Sequence, residues 1–394
     1  MQRKRLITAA CYAAFIVIGM GMTILGPTKD SLTQKFGMPL QDGGIFISLN
    51  YVGTVIGIVA AGWLLDRINA RYLLAGGALL VGVGFLLLSA AATRETAFLF
   101  MVVIGLGYGV LDITPNMVVT LLNKERASIA LNILNIMWGI GAAVGPQIAN
   151  FALNQEQFTL AFTIVAALAL VLVIPFALIS IPPQHAATEN AGEKQSRPRI
   201  LWLSLLPFVL LIFIYVGTES AFGGWIFTEV TQVTRASVST AALATSLFWA
   251  GLTVGRIAAS LALRKLSDEI LLVGVTLMIT VGAALLLITP GIESVALISA
   301  FIVGVGCGPI FPTTLAILNK RVTQAQGTVT GMIVALGTAG ATVIPPIQGW
   351  VGSNVSGGMQ ITAIMGLVLL GLVVLIGRSE QRSLAAQPST PPLR

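Results

Sequence analysis

Asp112 is a carboxylate embedded in an apolar run, GLGYGVLDITPNMVVTLLNK, residues 105–124. Asn116 follows one helical turn later on the same face, with Pro115 between them. In a bilayer-spanning helix an ionised aspartate near the midplane costs about 3 kcal/mol on insertion scales. Such a group faces a wet cavity, binds a cation or is protonated, and a site that couples an ion to solute movement needs those same options. A carboxylate neutralised by H+ or Na+ switches its charge between states. The competing reading is structural: a partner for a helix dipole or for a neighbouring amide. Pro115 withdraws one N–H from the helix ladder and leaves a carbonyl that could join a Na+ site near Asp112.

Other candidates are spread along the chain. Asn132, Asn135 and Trp138 recur at i, i+3 and i+6, on roughly one helical face. Amides beside an indole suit a sugar, with hydrogen bonds to hydroxyls and an aromatic platform for the C–H face, although Asn also joins membrane helices to one another. Glu219 precedes Gly223, Gly224 and Trp225, and the glycines favour local unwinding. It contacts solute, closes an outer gate or is a solvated carboxylate. Trp249 falls mid-helix and is a cavity aromatic, whereas Trp63, Trp202 and Trp350 fall at helix ends where interfacial aromatics belong. Arg256 either partners a buried acid or snorkels inward. Asp66, Arg67 and Arg71 lie in a loop, where they either gate through charge-assisted bonds or form a solvated turn.

The elements that position these residues follow from composition. Of 394 residues 56% are hydrophobic and 9% charged, and the mean hydropathy is +0.92, which describes a polytopic membrane protein rather than a soluble domain. Spans are expected at about 8–28, 44–63, 72–91, 97–120, 127–150, 158–180, 200–222, 238–262, 270–289, 295–318, 326–349 and 359–377. The first run is too long for a signal peptide, and no small-residue cleavage site follows it. Threaded from a cytoplasmic N-terminus, only Lys29, Lys35, Arg94 and Arg235 of the 22 Lys and Arg residues fall on the outer side. That asymmetry predicts both termini inside and explains the basic pI of 9.7 without a nucleic-acid partner. Residues 181–199 read as a disordered cytoplasmic linker between six-helix bundles at 1–180 and 200–378, with a disordered tail from 379 to 394. Gly105, Gly107 and Gly109 recur as Gly304, Gly306 and Gly308, and Gly141 and Pro146 recur as Gly340 and Pro345 at the same offset, the mark of a duplication. Where the first copy has Asp112 the second has Phe311.

The loop Gly62-Trp-Leu-Leu-Asp66-Arg67-Ile-Asn-Ala-Arg71 resembles the GxLaDrxGrr motif of the major facilitator superfamily, and Gly139-Ile-Gly141-Ala-Ala-Val-Gly145-Pro146 resembles its GxxxGP helix. The stretches around Gly26-Pro27, Asp112 to Asn116, Tyr215 to Trp225, Phe248 to Arg256 and Phe311 to Thr314 resemble the branch of fucose:proton symporters and sodium-dependent glucose transporter-like proteins. Fucose permeases carry an intramembrane acid in helix 1, where this chain has Met22, Thr23 or Leu25. The resemblance implies an all-α membrane protein with the 6+6 pseudo-symmetric fold, a monomer in the cell (inner) membrane. It implies a symporter that moves a hexose-like sugar by alternating access with H+ or Na+ and needs no organic cofactor. Asp112 takes the coupling role. Asn116, Asn132, Asn135, Trp138, Glu219, Trp225 and Trp249 take the sugar, and Asp66, Arg67, Arg71 and Arg256 the gating.

Two other readings use the same chain: an efflux antiporter for apolar drugs, against which the amides weigh, and a non-transporting sensor, which would carry a soluble signalling domain. Enzymatic readings lack their residues. The single histidine, His185, lies in the linker, Cys11 and Cys307 stand apart in apolar runs, and no GxSxG, HExxH or P-loop is present.

Overall fold

The computed structural model describes residues 2–178, 202–322, 326–351 and 355–385. Before residue 178 lie α1 (Gln2–Thr23), α2 (Leu25–Lys35), α3 (Gly44–Leu65), α4 (Ala70–Ala90), α5 (Arg94–Leu122), α6 (Ala127–Asn154) and α7 (Thr159–Leu178). After residue 202 lie α8 (Trp202–Gln232), α9 (Val238–Ala262), α10 (Asp268–Ile288), α11 (Glu293–Cys307), α12 (Ile310–Arg321), α13 (Gln326–Thr338), α14 (Gly340–Val351) and α15 (Val355–Ala385). They make twelve spans long and apolar enough to cross a membrane, with no strand among the described residues. The linker at 181–199, with His185, falls outside the described residues, as does the end of the tail.

Helix starts are written into the loops. Asn69 accepts the backbone N–H of Arg71, Ser237 that of Thr240, and Thr93 forms a reciprocal capping box with Thr96. Breaks follow proline chemistry. Pro27 lacks the N–H that would bond back to Thr23, and the first span divides there into α1 and α2. The tenth span divides at Gly308-Pro309, whereas its counterpart α5 runs through Pro115 unbroken.

Each group of six spans encloses its own hydrophobic core. Within each, paired helices meet through glycine. In α3 and α5, Gly53 and Gly57 face Gly105 and Gly109 so closely that an added methyl at Gly105 would strike the Asn50 carbonyl. Gly304 sits against the Phe248 carbonyl and Gly308 against that of Leu252 in the same manner. These small-residue seams let backbones touch where lipid gives no hydrophobic drive for association.

Three boundaries differ from expectation. The first span continues through α2 to Lys35 rather than ending at 28, and the seventh reaches Gln232 rather than 222, because polar residues at both ends are paired inside the bundle instead of facing water. The last helix persists to Ala385, past the expected end of the bundle at 378.

Candidate functional site

A cavity of about 260 Å³ lies between the two groups of spans at mid-depth. Its N-terminal wall carries Asp112 and Tyr108 on α5, Tyr51 and Thr54 on α3, and Asn135 and Trp138 on α6. Tyr215 and Glu219 on α8, Arg256 on α9 and Phe311 on α12 face them from the C-terminal wall. The position where the two sequence copies disagree, aspartate in one and phenylalanine in the other, therefore lines the cavity on both sides.

The two acids differ in their surroundings. Glu219 accepts a hydrogen bond from the Tyr215 hydroxyl and lies within electrostatic reach of the Arg256 guanidinium. Arg256 is itself anchored, since its Nε donates to the Gly308 carbonyl at 3.3 Å. That carbonyl is open because Pro312, four residues on, has no N–H to offer it. The Asp112 carboxylate has no hydrogen-bond or ion-pair partner among the described residues. Tyr51 feels the charge of both Asp112 and Glu219, so the acids share one electrostatic compartment. Two buried aromatic donors, the Tyr108 hydroxyl and Trp249 Nε1, have no hydrogen-bond partner among the described residues. The Trp249 ring meets Trp138 edge-on, with centroids 5.6 Å apart. Beyond Trp138 a narrow lobe continues away from the N-terminal face, lined by Thr23, Asn50, Ser220, Trp249 and the glycines 26, 223 and 224.

Asp112, Asn135, Trp138, Glu219 and Arg256 thus converge on the cavity, and Trp249 on its lobe. Asn135 also donates to the Leu131 carbonyl at 2.9 Å. Asn116 spends its amide on the backbone carbonyl of Asp112, 2.7 Å away, and is absent from the cavity lining; Asn132 is exposed and likewise absent. Trp225 is buried toward the far face, where its Nε1 donates to the Pro345 carbonyl at 2.9 Å. Arg256 stands in the cavity wall rather than at a helix-end gate, because the Gly308 carbonyl holds it there. Asp66, Arg67 and Arg71 surround the α3–α4 turn. The Arg67 guanidinium stacks 3.8 Å from the Trp63 ring and Arg71 bonds the Tyr72 hydroxyl. No ion pair joins the three among the described residues.

Sequence reasoning missed Tyr51, Tyr108 and Tyr215 in the cavity. Tyr108 could have been found, since it precedes Asp112 by one turn and shares its face. It also missed Lys29, which is fully buried. No group of three or more His, Cys, Asp or Glu among the described residues could hold a metal ion.

The model of the Major Facilitator Superfamily matches residues 11–345 and 208–392. The glucose/mannose transporter GlcP of Bacillus subtilis is 23% identical over 387 residues, covering 94% of each chain. The sodium-dependent glucose transporter 1A of Mus musculus is 24% identical, over 60% of this chain and 64% of its own. Among solved structures, the fucose:proton symporter FucP of E. coli in its outward conformation superposes with a TM-score of 0.62 at 17% identity, covering 94% of this chain and 98% of that one. A family match over most of the chain, a twelve-span fold and a cavity between its halves lead to one conclusion: the chain belongs to the Major Facilitator Superfamily of transporters, not to the enzymes.

Proposed function

We propose that this chain is a symporter that carries a hexose-like sugar inward by alternating access, driven by H+ or Na+ at Asp112. The observation that carries this reading is the composition of the central cavity. With its lobe it pairs an aromatic corner, Trp138 and Trp249, with donors at Tyr108 and Trp249 and a carboxylate at Asp112 that have no partner among the described residues, and with the amide of Asn135. Aromatic faces and polar groups left without protein partners match a sugar's C–H face and its hydroxyls. At about 260 Å³ the space lies just below the roughly 300–1,000 Å³ of drug-sized sites and suits a small polar solute. Asp112 then holds the coupling ion and Glu219, balanced by Arg256, orients the sugar. The sugar names of the relatives and the sodium dependence of one of them support the class. The positive-inside rule orients the N-terminal face to the cytoplasm, with Asp66, Arg67 and Arg71 as the inner gate and the protein acting as a monomer. Uptake of a labelled hexose panel into proteoliposomes under an imposed Na+ or pH gradient tests this. Failure of every hexose under both gradients overturns it.

A further inference from the structure

Lys29 is the least expected residue in the fold, a lysine with 0% exposure. Its Nζ lies 2.5 Å from the carboxylate of Asp30 and 4.1 Å from the centroid of the Trp225 ring, and it donates to the Thr228 hydroxyl. Thr228 in turn hydrogen-bonds both Asp30 oxygens, each at 2.8 Å. Lys29 and Asp30 sit on α2, Trp225 and Thr228 on α8, so the cluster joins the two halves. Nothing in the sugar and ion site uses it.

Its place on the solute's path follows from packing. Gly141 rests on the Ile16 carbonyl as Gly340 rests on the Phe213 carbonyl, so Ile16 and Phe213 are counterparts in the two halves. The sequence shift that carries Ile16 onto Phe213 also carries Gly26 onto Gly223, and a methyl on Gly26 would come within 2.8 Å of the Gly223 carbonyl. Counterpart positions touch only on the pseudo-twofold axis, which in this fold runs along the membrane normal, as the transport path does. The lobe beyond Trp138 narrows to this glycine contact, and Lys29 lies about one turn farther out. The same face is tied by Ser48 to the Thr342 carbonyl, Gln147 to Ser246, Asn150 to Ser239 and Asp42 to Trp350.

We infer that Lys29, Asp30 and Thr228 are the outer gate, and that Lys29 alternates between burial over Trp225 and hydration as the path opens outward. A buried ion pair suits this task. Its Coulomb attraction is largely offset by lost hydration, so separating the partners into water is nearly balanced, whereas an apolar plug would oppose opening. The inference rests on the orientation proposed above, with this face outward.

The test is sided accessibility. Native Cys11 and Cys307 are both fully buried, so an introduced cysteine reports alone. Ser220→Cys places one in the lobe and Asn135→Cys one on the cavity wall. Thr228→Val removes the bridging hydroxyl. It is expected to raise labelling of the Ser220→Cys reporter by a membrane-impermeant maleimide, from the outer face, about tenfold. Labelling at Asn135→Cys from the inner face should fall, and Thr228→Ser should restore the parent rates. Unchanged outer labelling, a rise at both faces together, or Thr228→Ser behaving like Thr228→Val would overturn the gate. A rise seen only from the cytoplasmic side would keep the gate and overturn the orientation. Because labelling needs no transported sugar, failure of the sugar assignment is read separately.

Discussion

If Asp112 carries the coupling as proposed, replacing it with asparagine should separate sugar movement from its driving force, by an amount set by the cavity charges. Counted as formal charges, Asp112 and Glu219 carry −2 and Arg256 +1, a formal sum of −1 for these three lining residues. One monovalent cation neutralises that charge, so one charge crosses with each neutral sugar. Moving it through 100 mV releases about 2.3 kcal/mol. At about 1.4 kcal/mol per tenfold, this sustains roughly a 50-fold steady-state accumulation. Asp112→Asn keeps the side-chain size and brings the cavity to neutrality. No cation is then required, and accumulation should fall to about equality across the membrane. Sugar counterflow, which needs no net cation movement, should stay within a few-fold of wild type. The assay uses proteoliposomes with a potassium-diffusion potential of about 100 mV, inside negative: labelled hexose at steady state for accumulation, then counterflow at zero potential. Retained accumulation near 50-fold would show that Asp112 does not carry the coupling. Loss of accumulation and counterflow together would show that it holds the sugar instead.

Other predictions concern the walls of the same cavity and the gates at its ends. Trp249→Ala removes both the edge-on partner of Trp138 and an unpartnered indole donor, and should raise the sugar KM about tenfold, while Trp249→Phe, which keeps a ring, should fall between; initial uptake rates decide. Glu219→Gln strips Arg256 of its balancing charge and should lower uptake more than tenfold. Arg256→Gln in that background should recover part of the loss, so additive losses in the double-mutant cycle would refute the pairing. Gly105→Ala drives a methyl into the Asn50 carbonyl and should destabilise the detergent-solubilised protein by about 1–3 kcal/mol, whereas Gly62→Ala, which meets no atom within 4 Å, should melt with wild type. Asp66→Asn should slow turnover while leaving sugar affinity in binding assays unchanged; an altered affinity would place Asp66 outside the inner gate.

The fold was legible because hydropathy over about 20 residues sets a membrane span almost alone, and every expected span has a counterpart. Span ends were less legible. Lys29-Asp30 and Thr228-Glu229 look like water-facing termini, yet each lies in a helix that continues, because Lys29 and Asp30 pair with each other and both bond the Thr228 hydroxyl of the opposite half. A pairing so distant in sequence leaves no local trace. In the site, helical period grouped Asp112 with Asn116 and Asn132 with Asn135 and Trp138, and the structure brings Asp112, Asn135 and Trp138 to the cavity. Asn116 and Asn132 do not line it, because residues sharing a face nominally still drift around a 3.6-residue helix and amides often bond to their own backbone. The tyrosines escaped notice because an aromatic residue in an apolar run reads as core until its neighbours across the bundle are known.

The glycine seam between α3 and α5 has a mechanical meaning. With backbone resting on backbone at Gly53, Gly57, Gly105 and Gly109, no side chain lies between the helices to flex or change rotamer, so the pair moves as one stiff strut. Asp112 rides on one member, and Asp66 ends the other. Under the proposed function, a tilt set off by ion capture at Asp112 would be carried to the α3–α4 turn by this strut, and the loop motif would sense the cavity's charge through a contact made from the smallest residue available.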